Sequence, residues 1–217
     1  MTSGDVRLAR ARELYDRATF GGDPSVLVTA QEDLDGVAAD LALARGRLLH
    51  ARFLADRVED PAEIREFETA ASLYERLGNT EGEAEARFWL GTCHQVVRGD
   101  GGSALPELER AYELATDPLT RSYVARHLGF HAFEQGDLAT ARSRFEESLR
   151  LRREVGHVAA IAAALLPLAD LTAATGDQAA ADSLLAEAEE LATADGAAGV
   201  LNWIAAIRAE WNDPTAR

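Results

Sequence analysis

The stretch that decides the fold is VARHLGFHAFEQGDLATARSRFEESL, Val124–Leu149. Its apolar residues recur at intervals of three and four, the period of an α-helix, and the glycine-containing EQGD interrupts them. Leu128 and Gly129 precede this interruption, whereas Ala141 and Phe145 follow it. The stretch therefore predicts two antiparallel helices joined by a tight turn. Small residues would allow the two helices to approach, and large ones would fill the gaps between pairs.

The same periodicity continues along the chain and predicts helices throughout, with no strands. Three Asp-Pro pairs mark helix starts, at Asp23, Asp60 and Asp117, because aspartate caps a helix and proline suits its first position. The spacing of Asp60 and Glu63 also matches a capping box. We predict eleven helices, at residues 5–20, 24–35, 37–58, 61–77, 81–98, 103–115, 118–135, 138–155, 157–175, 178–194 and 197–212.

The pattern of the opening stretch recurs with a period of roughly 38 to 40 residues. Each copy places a small residue before the turn and a small and a large residue after it. The copies contain Ala51, Phe67 and Ala70; Leu90, Gly91, Ala104 and Leu108; and Leu168, Ala169, Ala181 and Leu185. Glu63 stands where the first of these copies should have a small residue. The chain is therefore predicted to be a repeat protein.

These repeats resemble the tetratricopeptide repeat. The phrases FEESLRLRREVGH and FETAASLYERLGN are similar to repeats in bacterial LuxR- and AfsR-type regulators. The resemblance implies an all-α fold, an α-solenoid of antiparallel helix pairs wound into a right-handed superhelix. It further implies one domain over residues 1–217, with a degenerate first pair at 5–36, four repeats at 37–195 and a capping helix at 196–212. The chain shows no GxxxxGK[ST] motif and no basic recognition helix, so the switching mechanism of those regulators is not implied.

Composition narrows the class of partner. The chain has 37 acidic and 22 basic residues, all of the latter arginine, and a net charge of −15. This balance argues against nucleic acid, since phosphate binding needs clustered positive charge. The exclusive use of arginine and the high alanine content are typical of GC-rich bacterial genomes, so we expect a bacterial protein. No apolar run approaches membrane-spanning length and no signal peptide is evident, so we expect a cytoplasmic location without membrane contact. The single Cys93 excludes an internal disulfide and is expected to be a buried small residue.

Two histidines raise the question of a metal. His127 and His131 lie four residues apart, with Glu134 three further on, so one helix would carry them as a stripe. A zinc site needs at least three protein ligands, and a third would have to come from another helix. We regard both histidines as weak metal candidates and expect them to be satisfied by packing and hydrogen bonds. No metal and no cofactor are predicted.

The first helix of each pair should line the concave side of such an array. Apolar and aromatic side chains mixed with arginine suit a peptide, because arginine can hold a carboxylate through two parallel hydrogen bonds. The competing interpretation is that Phe130 packs against the next pair and the arginines neutralise neighbouring acids. The predicted binding residues are Arg45, Arg52, Phe88, Thr92, Gln95, Tyr123, Arg126, Phe130, Glu134 and Asp170.

Two functions remain open at this point. The first is a non-catalytic interaction module that binds a peptide or a partner protein in its concave groove, with a role in regulation. The second is a small-molecule-binding protein or an enzyme, with a pocket closed inside the superhelix and His127, His131 or Glu134 as acid or base. We favour the first, and leave open whether the chain forms a homodimer.

Overall fold

The computed structural model describes residues 5–212 of the chain, and over that range it contains ten α-helices and no strand. A 3₁₀ turn at Pro24–Val26 precedes α2, and a π-helical turn at Cys93–Val97 extends α4. The α-helices are α1 (Val6–Phe20), α2 (Leu27–Asp56), α3 (Ala62–Arg76), α4 (Thr80–Thr92), α5 (Gly101–Leu114), α6 (Pro118–Glu134), α7 (Leu138–Val155), α8 (Val158–Ala174), α9 (Gln178–Asp195) and α10 (Ala198–Asn212). The all-α class predicted from the sequence is confirmed.

The count of eleven helices was wrong by one, because the predicted break at Gly36 does not exist. Helix α2 runs without interruption through that residue. Gly36 is buried, and a Cβ built on it would lie 3.3 Å from Nη1 of Arg7 and 3.9 Å from Cδ1 of Leu77. The glycine therefore makes room for neighbouring side chains inside a helix instead of ending one.

The chain divides into two compact units, one up to Ala115 and one from Thr116 onward. In the first unit α2 packs against both α1 and α3, α3 packs against α4, and α4 packs against α5. Its core is built around Phe67, Tyr74 and Leu43, with the indole of Trp89 stacked on Phe67 at 5.7 Å between ring centroids.

In the second unit α6 pairs with α7, α8 pairs with α9, and α10 packs against α9 and α8. Helix α8 is buried along most of its length, from Ala160 to Ala173. Phe145, Leu185 and Ile204 from three other helices complete this core. The predicted capping role of the last helix is consistent with its position, since α10 covers the end of the α8–α9 pair.

The close approach predicted for small residues is present in α6 and α7. A Cβ added to Gly129 would lie only 2.5 Å from Cε1 of Phe145, so this glycine is required for the two helices to meet. The equivalent contact in the first unit joins Gly46 to the ring of Phe67. The repeat pattern predicts Ala51 as the small residue that meets Phe67, but Ala51 is exposed. This prediction is wrong because the connection after α2 is longer than in the other helix pairs.

Aspartate side chains cap five of the ten described α-helices, α1, α5, α6, α7 and α9. Of the three predicted Asp-Pro starts, Asp117 caps an α-helix and Asp23 caps the 3₁₀ turn. Asp117 and Asp137 accept hydrogen bonds from the backbone N–H groups of Thr120 and Thr140, at 2.7 and 3.0 Å. The capping box predicted for Asp60 is half right. Asp60 Oδ1 accepts from the backbone N–H of Ala62 at 2.8 Å, but the side chain of Glu63 turns into the core.

Candidate functional site

The structure distributes the ten predicted binding residues between the two units. Arg45, Arg52, Phe88, Thr92 and Gln95 belong to the first unit, and the other five belong to the second. Three of the latter, Arg126, Phe130 and Asp170, line one common pocket.

In the first unit the predicted residues differ in accessibility. The side chains of Phe88 and Thr92 are only 4% and 3% exposed, and the Phe88 ring packs 5.0 Å from that of Trp89. These two residues face the core and are not available to a ligand. Gln95 is half-buried in the π-helical turn, whereas Arg45 and Arg52 are exposed on α2.

The pocket of the second unit lies between α6, α8 and α10 and has a volume of about 200 Å³. We call it the Arg126 pocket. Its walls are mainly apolar, and one cation and one acid stand among them. The lining residues are Arg126, Phe130, Leu166, Pro167, Asp170, Trp203, Ala206 and Ile207.

Arg126 is the cation of this pocket, and within residues 5–212 no carboxylate neutralises it. Its guanidinium carbon lies 5.0 Å from the centroid of the Phe130 ring, a cation–π contact, and its buried Nε has no hydrogen-bond partner. Burial lowers the pKa of Arg126 to about 10, and interaction with Tyr123 opposes this shift. The side chain is therefore still charged at neutral pH. A buried donor without an acceptor is costly, and a bound anion would remove that cost.

A second arginine adds positive potential behind the first. Arg152 is fully buried, with its guanidinium carbon 4.6 Å from the centroid of the Tyr123 ring. It donates to Oγ of Ser122 at 3.2 Å and to the carbonyl oxygen of Ala160 at 2.8 Å, while its Nη2 has no acceptor. Burial lowers the pKa of Arg152, and the charge of Arg126 lowers it further. The two arginines thus form a cationic centre that lacks an anion in the described chain.

Asp170 supplies the acid of the pocket. Its Oδ1 accepts a hydrogen bond from Nε1 of Trp211 at 3.1 Å, and the two residues are brought together by the packing of α10 on α8. Burial raises the pKa of Asp170, the Trp211 hydrogen bond lowers it, and the charge of Glu210 raises it. Within residues 5–212 Asp170 forms no ion pair with Arg126. Each group is thus free to contact a separate part of a ligand.

The remaining predicted residues of the second unit lie outside the lining of this pocket. The ring of Tyr123 contacts Arg152, and Glu134 is exposed at the end of α6.

His127 is buried, with its ring 5.9 Å from that of Phe130, and Nδ1 of the half-buried His131 has no hydrogen-bond partner. Among the described residues no three His, Cys, Asp or Glu side chains are placed to hold a metal ion.

Cys93 is buried, as expected, and lies near Glu63 in the first unit. Burial raises the pKa of its thiol to about 12, and the charge of Glu63 adds to the shift. The residue is therefore a neutral thiol at physiological pH and lacks the thiolate that nucleophilic chemistry requires.

Several residues of the Arg126 pocket were not predicted from the sequence. Trp203 and Ile207 come from α10, which the sequence indicated only as a cap, and Leu166 and Pro167 lie on α8. Trp203 was the one signal of this pocket in the sequence, because a large aromatic side chain on the outer face of a capping helix has no packing role. Arg152 carried no signal, because its burial depends on neighbouring helices.

Two larger clefts on the second unit have volumes of about 600 and 500 Å³. The smaller is lined by Arg150 and Arg153, which form ion pairs with Glu154 at 2.6 Å and Glu187 at 2.7 Å. Glu187 also lines the larger one. Because the arginines of the smaller cleft already have acid partners, they have less reason to bind an anion than Arg126 has.

A protein family and a solved structure are similar to this chain. The family model of the tetratricopeptide repeat matches residues 120–194, which extend from α6 into α9, and supports a protein of the tetratricopeptide repeat type. The crystal structure of BtubC (BKLC) from P. vanneervenii is 19% identical in sequence, with a TM-score of 0.47 over 90% of this chain and 93% of that one. No curated protein matches the sequence significantly.

None of the helices between residues 5 and 212 combines the length and the apolar character needed to cross a bilayer.

Proposed function

We propose that this chain is a non-catalytic interaction module whose second unit binds a peptide segment of a partner protein in the Arg126 pocket. Tetratricopeptide repeats generally mediate protein–protein interaction. The observation that carries the proposal is the guanidinium of Arg126, which has no acid partner and lies in a pocket with apolar walls. Such a pocket is suited to an anionic group attached to an apolar one.

The anionic group that fits best is a terminal carboxylate. Nε of Arg126 is a donor without an acceptor, and Arg152 behind it favours negative charge at this place. A charge-assisted hydrogen bond to a carboxylate contributes about 1.5 to 3 kcal/mol. Asp170, on the other side of the pocket, could accept from a backbone N–H of the same peptide through Oδ2, since Oδ1 is engaged by Trp211.

The size of the pocket favours a side chain over a whole small molecule. Its volume of about 200 Å³ is below the range of roughly 300 to 1,000 Å³ usual for small-molecule sites. A leucine-sized side chain would be enclosed by Phe130, Leu166 and Ile207. For this reason the alternative of an enzyme or small-molecule-binding protein is not favoured.

The test is the binding of acetylated peptides of random sequence that end in leucine, prepared as free acids and as C-terminal amides. We expect the free acids to bind at least about tenfold more tightly, which corresponds to about 1.4 kcal/mol. The Arg126→Met variant should lose this preference, because it keeps an unbranched apolar stem and removes the charged guanidinium group. Calorimetric titration of the full chain measures both effects.

Arg142→Met is the matched control, since Arg142 is a half-buried arginine of α7 outside the pocket. It should bind both peptide pools as the unmodified chain does, and melting temperatures should show that all variants are folded. Equal binding of acid and amide, or an unchanged preference in Arg126→Met, would refute the site. Binding of free leucine as tight as that of the peptides would instead favour the small-molecule function.

We further propose a kind of partner and a cellular location for the protein. The similarity of its repeats to those of bacterial regulators makes a separately encoded regulator a suitable partner. A cytoplasmic location agrees with the lone reduced thiol of Cys93, because secreted proteins usually pair their cysteines. Detection of the regulator by crosslinking to the intact chain, and loss of the crosslink in Arg126→Met, would test this extension.

A further inference from the structure

We propose that the exposed face of α2, in the first unit, is a second docking surface, and that it takes an acidic amphipathic helix of a partner protein. The surface is separate from the Arg126 pocket and does not depend on the function proposed for it. It consists of four leucines and two arginines, which we call the leucine stripe: Leu27, Leu34, Leu41, Arg45, Leu48 and Arg52.

The four leucines of the stripe follow one another at intervals of seven residues, and their exposure ranges from 41% to 63%. Seven residues are close to two turns of an α-helix, so the side chains lie in one row along the helix. Single exposed leucines are common on protein surfaces, but a row of four is the pattern that one helix presents to another. The spacing therefore points to a helical partner.

The stripe is not part of the core of the first unit. The buried residues of α2, among them Ala39, Leu43, Gly46 and His50, lie on the opposite side of the helix, which packs against α1 and α3. Helix α2 is thus apolar on two opposite faces, whereas a surface helix normally has one apolar face. The inner face is covered by the first unit itself, and the outer one is exposed.

The charges on the stripe indicate the chemistry of the partner. Arg45 and Arg52 follow Leu41 and Leu48 by four residues and share their exposed face. Within residues 5–212 neither forms an ion pair, although Arg47, on the same helix, pairs with Glu85. In a chain of net charge −15, two arginines without acid partners beside a leucine row are complementary to an acidic helix.

A second copy of this chain fits the stripe less well. In a parallel pair of α2 helices Arg45 and Arg52 would face their own counterparts, and like charges repel. In an antiparallel pair the acids of the first half of α2 would have to form ion pairs with these arginines. Three of the four already have partners: Asp33 pairs with Arg10, Asp35 accepts from Arg76 at 2.9 Å, and Asp40 accepts from Arg7 and Tyr74, both at 2.6 Å. The fourth, Glu32, lies two residues from Leu34 and therefore on the other side of the helix.

The length of the stripe sets the length of the partner. From Leu27 to Leu48 the helix rises about 32 Å at 1.5 Å per residue, so a partner helix of about three heptads would cover it. Its apolar residues should recur every three and four positions, with Glu or Asp at the edge that meets Arg45 and Arg52.

The test uses two labelled helical peptides of about four heptads, identical except for their flanking charges. Both carry leucine at the a and d positions, one with glutamate at e and g and the other with lysine. Fluorescence anisotropy with the full chain should show the glutamate peptide binding at least about tenfold more tightly, and this preference should weaken with added salt. The Leu41→Ser/Leu48→Ser variant should reduce binding about tenfold or more.

The charge-reversed Arg45→Glu/Arg52→Glu variant is the decisive one, because it should bind the lysine peptide in preference to the glutamate peptide. Leu138→Ser and Arg12→Glu, which alter exposed residues of other helices, serve as controls and should leave the binding of both peptides unchanged. Equal binding of both peptides, or binding unaffected by the serine variant, would overturn the proposal. So would a dimer in sedimentation velocity that the serine variant dissociates, since the stripe would then belong to a second copy.

Discussion

The indole Nε1 of Trp211 donates a hydrogen bond to Oδ1 of Asp170 at 3.1 Å, across 41 residues of sequence. The bond joins the last described turn of α10 to the C-terminal part of α8. Together with the ion pair of Arg208 and Glu189, it fixes how the final helix sits on the second unit, because the buried contacts of Val200 and Ile204 are apolar and have no direction. It also orients the acid of the Arg126 pocket.

We expect Trp211→Phe to lower the free energy of unfolding by about 1 to 2 kcal/mol. The substitution keeps most of the apolar contact but leaves the half-buried carboxylate of Asp170 without its donor. Urea unfolding followed by circular dichroism measures the loss. Trp203→Phe is the control, since Trp203 is 43% exposed and forms no such bond. A similar effect of both substitutions would show that the hydrogen bond contributes nothing of its own.

The raised pKa of Asp170 predicts a pH dependence of stability. The folded chain holds this proton to a higher pH than the unfolded chain, so the contribution of Asp170 becomes less favourable as the pH rises from about 4 through its folded-state pKa. Asp170→Asn cannot ionise, yet its amide oxygen can still accept from Trp211. The stability of the unmodified chain relative to this variant should therefore fall as the pH rises above about 4. A constant difference in urea midpoints would contradict the expectation.

The sequence predicted the helices and their pairing because both depend on local signals. Periodicity, aspartate caps and the small residue at Gly129 act within one helix pair, and all three were correct. The exceptions required knowledge of other helices. Gly36 looks like a helix end until Arg7 and Leu77 are placed against it, and Glu63 looks like a capping residue until His50 is found in the core.

The site was harder to predict for the same reason. Arg126, Phe130 and Asp170 were identified because they share a groove-facing register, but this register did not show that Phe88 would be buried. Whether an arginine lacks an acid partner depends on every helix that surrounds it. That property distinguishes Arg126 from Arg87, which contacts Glu83, Glu75 and Glu107.

The contact of Gly129 with Phe145 predicts that Gly129→Ala is destabilising. The new methyl group would lie 2.5 Å from the aromatic ring, and overpacking of this kind costs about 1 to 3 kcal/mol. Gly199→Ala in α10 is the matched control, because nothing lies within 4 Å of its added Cβ and alanine favours a helix. It should be neutral or stabilising by up to about 1 kcal/mol. Thermal unfolding of the two variants in parallel gives the comparison, and equal melting temperatures would exclude the close approach.

The buried pair of His50 and Glu63 predicts strong coupling between two helices. Nδ1 of His50 lies 2.8 Å from Oε1 of Glu63, and both side chains are buried. His50→Leu removes the partner of a buried carboxyl group and should destabilise by about 3 kcal/mol or more. The double variant His50→Leu/Glu63→Leu should regain part of this loss. A double-mutant cycle by urea unfolding measures the coupling, and additive effects would show that the pair is independent.

The continuity of α2 has a consequence for how the first unit comes apart. In repeat arrays stability is approximately a sum of terms for each repeat and for its contacts with its neighbours. Here one unbroken backbone carries Asp33, which binds Arg10 of α1, and His50, which binds Glu63 of α3. Opening either end would strain the other, so amide exchange should report α1, α2 and α3 as a single cooperative block. Residues 5–36, predicted from the sequence as a separate first pair, would then be unable to fray alone.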